Sequence, residues 1–227
     1  MKKKIKKLPK AIAIAIVSLI SFIPFYYTLI AATHSTEEVM LGLSLLPGSH
    51  LIENITTAMN DTFWVAFKNS MIVSFSAMFC SVSISLMAGY GLAAYQFKLK
   101  RVIYNFVLLT MMVPSVLGVI GYMQEMRALR LSGSLLPLIL IWFPSGFGVF
   151  WITQYLQNSL QMELVESARI DGCNEFFIFL KIVLPCIRPA IISLCLLIFL
   201  WSWNSYLLPL VMINNVENYT IPLYIQS

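Results

Sequence analysis

The sequence predicts an all-α integral membrane protein with five transmembrane helices and a cytoplasmic helical insert between spans four and five. Three observations carry this. The chain of 227 residues is 59% hydrophobic and 11% charged, against roughly 45–50% apolar and about 25% charged in an ordinary globular domain. Asp, Glu, Lys and Arg are absent from 11–36, 69–97, 102–124, 131–162 and 189–216, and each stretch exceeds the roughly 20 residues a helix needs to cross the hydrocarbon layer. Finally, the alternation of a membrane barrel strand is missing. A spanning backbone that must satisfy its own hydrogen bonds is then helical.

Span one is expected near 11–33, followed by a loop to about 66 that carries Glu37, Glu38, Glu53 and Asp61. Its apolar run is longer than the roughly 7–15 residues of a signal-peptide core, so it reads as an uncleaved span. Span two lies near 69–95 and returns to "QFKLKR". Span three lies near 102–123, with "QEMRALRLSGS" after it. Span four covers about 135–156, a polar insert fills about 157–187, and span five lies near 188–212.

Twelve of the 15 lysines and arginines fall in "MKKKIKKLPK", in "KLKR" at 98–101 or in 156–188. Basic residues gather on the cytoplasmic side, so the amino terminus, the "KLKR" turn and the insert are expected inside. The end, "NNVENYTIPLYIQS", is then outside. Topology accounts for the net charge of +5, leaving no basic surplus that points to nucleic acid.

Chemistry is scarce. Cys80, Cys173, Cys186 and Cys195 form no CxxC pair, which argues against a metal or redox site. His34 and His50 fall in or beside the first outer loop and read as solvated. No GxSxG, HExxH or Walker A sequence is present, so no catalytic residue is assigned. Charges inside spans would mark an ion or proton path, and the charge-free stretches hold none. The driving energy is expected from another subunit.

The polar insert is the informative segment. Residues 160–171 favour a helix, with Glu163 and Glu166 early, where the helix dipole stabilises acids. Gly172 follows as a left-handed stop. Asn174 is a plausible N-cap for "EFFIFLK", and Pro185 and Pro189 punctuate the entry to span five. Ser167, Ala168 and Gly172 keep part of the first helix small enough for another backbone to approach. Leu164, Ala168 and Asp171, with Glu166 and Ile170, are expected to make a mixed apolar and acidic knob.

Glu166-Ser167-Ala168, then Gly172, then Ile182-x-Leu184-Pro185 resembles the EAA loop of ABC importer permeases, "EAA---G---------I-LP". The spacing agrees throughout and only Ser167 departs in identity. Asp171, "NS" at Asn69-Ser70, "AAY" at Ala93 to Tyr95, "MVP" at Met112 to Pro114, "WN" at Trp203-Asn204 and "LP" at Leu208-Pro209 are similar to the carbohydrate-uptake class, as in maltose and multiple-sugar permeases. The match spreads over about 69–222 of one permease domain, 1–227.

The resemblance implies that Glu166, Ser167, Ala168, Asp171, Gly172, Ile182, Leu184 and Pro185 form the coupling loop. That loop would seat in a cleft of a cytoplasmic ATPase dimer that binds the ATP and Mg, leaving no cofactor and no metal in this chain. It also implies a second permease subunit and an extracytoplasmic solute-binding protein in the cell membrane. The cargo would be a sugar or sugar derivative; an amino acid, peptide or phosphate is the nearer alternative. Trp203, Asn204 and Tyr206 are candidates for the solute pathway, an aromatic face for a sugar ring and an amide for its hydroxyls. Interface anchoring and helix–helix bonding explain the same residues structurally. Such permeases usually carry a sixth span after the last outer loop; this chain stops at Ser227, so a truncated copy is the other expectation.

Overall fold

A computed structural model describes residues 8–42 and 44–227. The lysines at 2–7, which contribute to the orientation argument, lie outside the described residues. The described elements are helices and no strand occurs among them. The chain divides into two compact units, Met1–Asp61 and Thr62–Ser227.

In the first unit, α1 (Leu8–Ala31) contains Pro24 and keeps its large side chains exposed around its circumference, Ile14, Leu19, Phe22 and Phe25 among them. A helix apolar on all sides suits lipid rather than water. Its last-turn carbonyls are taken by the residues that follow, Ala32 N donating to Thr28 O, Thr33 N to Ile30 O and His34 N to Ala31 O, and the loop beyond folds back onto residues 32–34. The Asn54 amide donates to Ala32 O and His34 O at 2.9 and 2.8 Å, and Gly48 N donates to Thr33 Oγ1 at 2.7 Å. Two short helices, α2 (Thr36–Leu41) and α3 (Leu51–Ala58), complete the unit. Ser35 and Glu38 close α2 with a reciprocal capping box, and His50 pairs with Glu53 at 3.0 Å.

The second unit is organised by α4 (Asp61–Ala94), 34 residues without a break, about 50 Å at 1.5 Å per residue. Ser70, Ser74, Ser81, Ser85 and Gly89 are on its buried side. Small residues let neighbouring helices approach closely. A Cβ at Gly89 would lie 2.6 Å from Ile152 Cγ2, and one at Gly148 would collide with Ser85.

The predicted third span is two helices, α5 (Lys100–Met112) and α6 (Ser115–Ala128), which meet at 98°. The residue before a proline is pushed out of the helical region, and Val113 is extended, with φ −78° and ψ 122°. The predicted fourth span is likewise divided into α7 (Leu136–Leu140) and α8 (Gly146–Ser159) around Pro144. Neither piece has the length of a spanning helix. Thus α1, over Ile12–Ala31, and α4 are long and apolar enough to cross unbroken. The pair α5 with α6 and the pair that ends in span five add two more if each bent pair is one span.

After α8 the insert runs through α9 (Met162–Ile170), α10 (Glu175–Ile178), a π turn at Phe179–Val183 and α11 (Leu184–Cys186). Span five is α12 (Arg188–Trp203), followed after a break by α13 (Leu207–Met212). A 3₁₀ turn at Val216–Asn218 and α14 (Ile221–Gln226) close the chain.

Two apolar clusters hold this unit. The larger joins Leu86 and Tyr90 of α4, Ile152 and Leu156 of α8, Val165 and Ala168 of α9, Ile178 of α10, and Leu194 and Ile198 of α12. The smaller joins Val73, Met126, Leu138, Leu208, Met212 and Leu223. The insert is therefore built into the base of the helical bundle.

Candidate functional site

The insert's first helix is shorter than expected, starting at Met162, because Leu160 and Gln161 are extended. Its end is as expected. Gly172 has φ +82°, Gly172 N donates to Arg169 O at 3.1 Å and Cys173 N to Ala168 O at 3.0 Å. These two bonds form a Schellman motif, which pairs the last carbonyls and turns the chain sharply. Asn174 then caps α10, its Oδ1 accepting from Phe177 N at 2.7 Å.

The residues expected to form a coupling loop separate into two faces. Glu166, Ser167, Asp171 and Gly172 are exposed, as are Leu164 and Ile170, the latter 86% exposed. This is a projecting surface of two acids and two aliphatic side chains. Ala168 lies on the other face, 8% exposed and packed in the larger cluster. Its small size lets α9 press against the bundle, not against an outside partner. Ile182, Leu184 and Pro185 are half-buried. Pro185 has no N–H for the carbonyl four residues back and its ring crowds that carbonyl. The preceding turn widens to a π turn, with Leu184 N bonded to Phe179 O.

Glu175 is the residue that sequence reasoning passed over. Its carboxylate accepts from Arg169 Nε at 2.6 Å and Nη2 at 3.2 Å. It also accepts from Tyr95 OH at 2.5 Å and Tyr90 OH at 3.0 Å. The Arg169 guanidinium lies 5.2 Å from the centre of the Tyr95 ring, and Lys100 Nζ donates to Tyr95 O at 2.9 Å. The Arg169 hydrogen bonds, followed by that from Tyr95, push the Glu175 carboxyl down to about 2. Opposite charges flanking the Gly172 turn were the available signal; the tyrosines, 80 and 85 residues away, gave none.

A second feature is a cavity of about 850 Å³ where three helix breaks converge. The α5–α6 bend supplies Thr110 and Ser115, the α7–α8 break supplies Trp142 and Ser145, and the last turn of α12 with the break after it supplies Trp201 and Tyr206. Among the described residues its lining carries no charged side chain. Aromatic faces and hydroxyls around an uncharged hollow suit a neutral, polyhydroxylated solute. Of the expected pathway residues, Tyr206 lines it. Trp203 instead stacks on Phe199 and meets Phe67 edge-on, each at 5.7 Å, and the Asn204 amide donates to Leu200 O at 2.8 Å.

A helical membrane bundle with a built-in insert and an uncharged cavity is an architecture that suits a transport permease. Residues 81–227 match the family described as the binding-protein-dependent transport system inner membrane component, and the chain belongs to it. It is 32% identical to the arabinooligosaccharides transport system permease protein AraQ of Bacillus subtilis, over 92% of this chain and 76% of that protein. It is 29% identical to the sn-glycerol-3-phosphate transport system permease protein UgpE of Escherichia coli, over 86% and 72% respectively. A solved bacterial ABC transporter involved in importing the acidic polysaccharide alginate has a TM-score of 0.85 at 23% identity, over all of this chain and 80% of its own. At that identity the likeness is one of fold.

Proposed function

We propose that this chain is the membrane-spanning permease subunit of an ATP-driven ABC importer, taking up a sugar or sugar derivative delivered by an extracytoplasmic binding protein. The observation that carries the reading is the two-faced helix α9: Ala168 and Val165 are fixed in the bundle while Glu166, Ile170 and Asp171 project away from it. Such a helix is suited to passing a partner's movement into the membrane. The partner is a cytoplasmic ATPase dimer that holds the ATP and Mg, and a second permease completes the pathway. The amino terminus, "KLKR" and α9 are cytoplasmic, with Glu53 and Glu217 outside. The uncharged cavity with Trp142, Trp201 and Tyr206 favours a neutral carbohydrate over a phosphate ester.

The test is cysteine crosslinking in the assembled transporter, in a chain whose native cysteines are replaced by serine. A cysteine at Ile170 should crosslink to the ATPase subunit and resist labelling from outside intact cells. Labelling of position 170 from outside would reverse the orientation. A labelled position 170 with no crosslink would remove the coupling assignment.

A further inference from the structure

We propose that the Glu175 carboxylate is the joint through which movement of α9 reaches α4, with the Tyr90 and Tyr95 hydroxyls as the receiving groups. The proposal rests on the coupling reading above and names the residues that would execute it.

Both covalent routes out of α9 are poor transmitters. On one side the chain passes through the extended residues Leu160 and Gln161, and on the other through the positive-φ turn at Gly172. The route into α12 crosses a π turn and an 81° bend. Apolar contacts in the larger cluster hold α9 in place, but hydrophobic contact is non-directional. The directional link is the carboxylate. Arg169, in the last turn of α9, grips Glu175, the first residue of α10, with two bonds, which fixes the angle between the two helices across the Gly172 turn. The same carboxylate accepts from Tyr90 within α4 and Tyr95 just past its end. Hydrogen bonds to an ionised acceptor are the strong, geometrically demanding kind.

Beyond the joint, α4 runs 34 residues without a break. At its far end the Asn69 amide bonds to Glu217 O and Tyr219 O, and Ser70 Oγ accepts from Ile221 N. A displacement delivered at Glu175 therefore meets no hinge before it reaches the segment 217–221 on the other side of the bilayer. Glu175, Tyr90 and Tyr95 are positioning residues in this account and touch no solute.

The test uses the transporter assembled with its ATPase subunit in lipid nanodiscs, with the native cysteines replaced by serine. An environment-sensitive fluorophore on a cysteine at Val65, near the far end of α4, reports movement as ATP, Mg and vanadate are added. No solute is needed. Tyr90→Phe with Tyr95→Phe removes only two hydroxyls and keeps both rings, so Tyr90 still packs on Phe179 with centroids 5.4 Å apart. The double variant should crosslink from position 170 to the ATPase as well as the unchanged chain does. Its half-maximal ATP concentration for the Val65 signal should rise about tenfold or more, since losing even one of the two hydrogen bonds to the charged carboxylate accounts for about that factor. Glu175→Gln should shift it in the same direction.

An unchanged midpoint in the double variant, with the crosslink intact, overturns the joint and leaves the coupling reading standing. A crosslink lost only in the double variant also overturns it, because the hydroxyls would then shape the docking surface instead of relaying movement. No crosslink even in the unchanged chain would sink the coupling reading and the joint together.

Discussion

The side-chain amide of Asn69 donates to the backbone carbonyl of Tyr219 at 2.9 Å, joining the start of α4 to a segment 150 residues further on. The same amide also reaches Glu217 O at 2.8 Å. Next to it, Ser70 Oγ takes the Ile221 N–H at 2.8 Å, and Asn218 donates to Gly133 O at 2.7 Å. A three-residue 3₁₀ turn has little stability of its own, so these side chains hold the segment. Ser70→Ala leaves the buried Ile221 N–H without its acceptor, at a cost of about 1–3 kcal/mol. Hydrogen exchange at Ile221 should accelerate by about tenfold or more, while α9 amides stay as protected as before. Equal exchange in both forms would show that the clamp is dispensable.

Gly172→Val should damage the loop without unfolding the bundle. At φ +82° a β-branched residue costs about 1–2 kcal/mol or more, yet a Cβ there meets nothing within 4 Å. The strain is in the backbone. The variant should insert normally, lose protection at Cys173 N and crosslink weakly from position 170. Wild-type protection at Cys173 would contradict the Schellman assignment.

Glu166→Lys and Ile170→Asp test the projecting face. Both residues are exposed, so neither change should alter the thermal stability of the isolated chain. Each should weaken association with the ATPase. Loss of a charge contact buried at an interface costs about 2–5 kcal/mol, whereas a rim contact gives a small, salt-sensitive change. Co-purification at two salt concentrations separates these cases, and unaltered retention of ATPase by both variants would place the docking surface elsewhere.

The Glu175 pair has a defined pH window. Its carboxyl is held near 2 instead of 4.5, first by the Arg169 bonds and then by Tyr95. A depressed folded-state value means that this stabilisation is complete above about 4.5 and fades as pH falls toward 2. A carboxyl-carbon NMR titration should therefore show Glu175 ionised at pH 3.5 in the unchanged chain. Arg169→Gln should move its midpoint up toward 4.5. A midpoint insensitive to Arg169 would dissolve the pair.

The two tryptophans near the end of α12 should behave differently. Trp201 faces the cavity, so Trp201→Ala should raise the apparent KM for the transported sugar by about tenfold, the upper range for an aromatic contact of about 0.5–1.5 kcal/mol. Trp203 is stacked on Phe199 and meets Phe67 edge-on. Its replacement by Ala should lower thermal stability more than it changes KM. The reverse ranking would return Trp203 to the solute path.

Local chemistry was readable residue by residue. A glycine after a helical run and an Asn before "EFFIFLK" each act over a few residues, so the Gly172 turn and the Asn174 cap could be anticipated, whereas Pro185 marked an interruption without showing that it would take the form of a π turn. Chain interruptions were harder to foresee. Pro114 and Pro144 stand in plain view, but a charge-free stretch reads as one span whether or not its helix is continuous. The direction in which Ala168 points was not legible either, because a small residue suits a partner's approach and a neighbour's approach equally.

The sequence by itself determined the membrane class, the helical backbone and the helix–glycine–helix turn of the polar insert, since these follow from apolar length, the hydrogen-bonding demands of a lipid-embedded backbone and short-range turn chemistry. Only the tertiary structure decided that Glu175 would be reached by Tyr90 and Tyr95, that Asn69 would hold Tyr219, and that three helix breaks would meet around one cavity. Those arrangements depend on which helix faces pack together, and packing brings together residues 80 to 150 positions apart that carry no mark of one another in the chain.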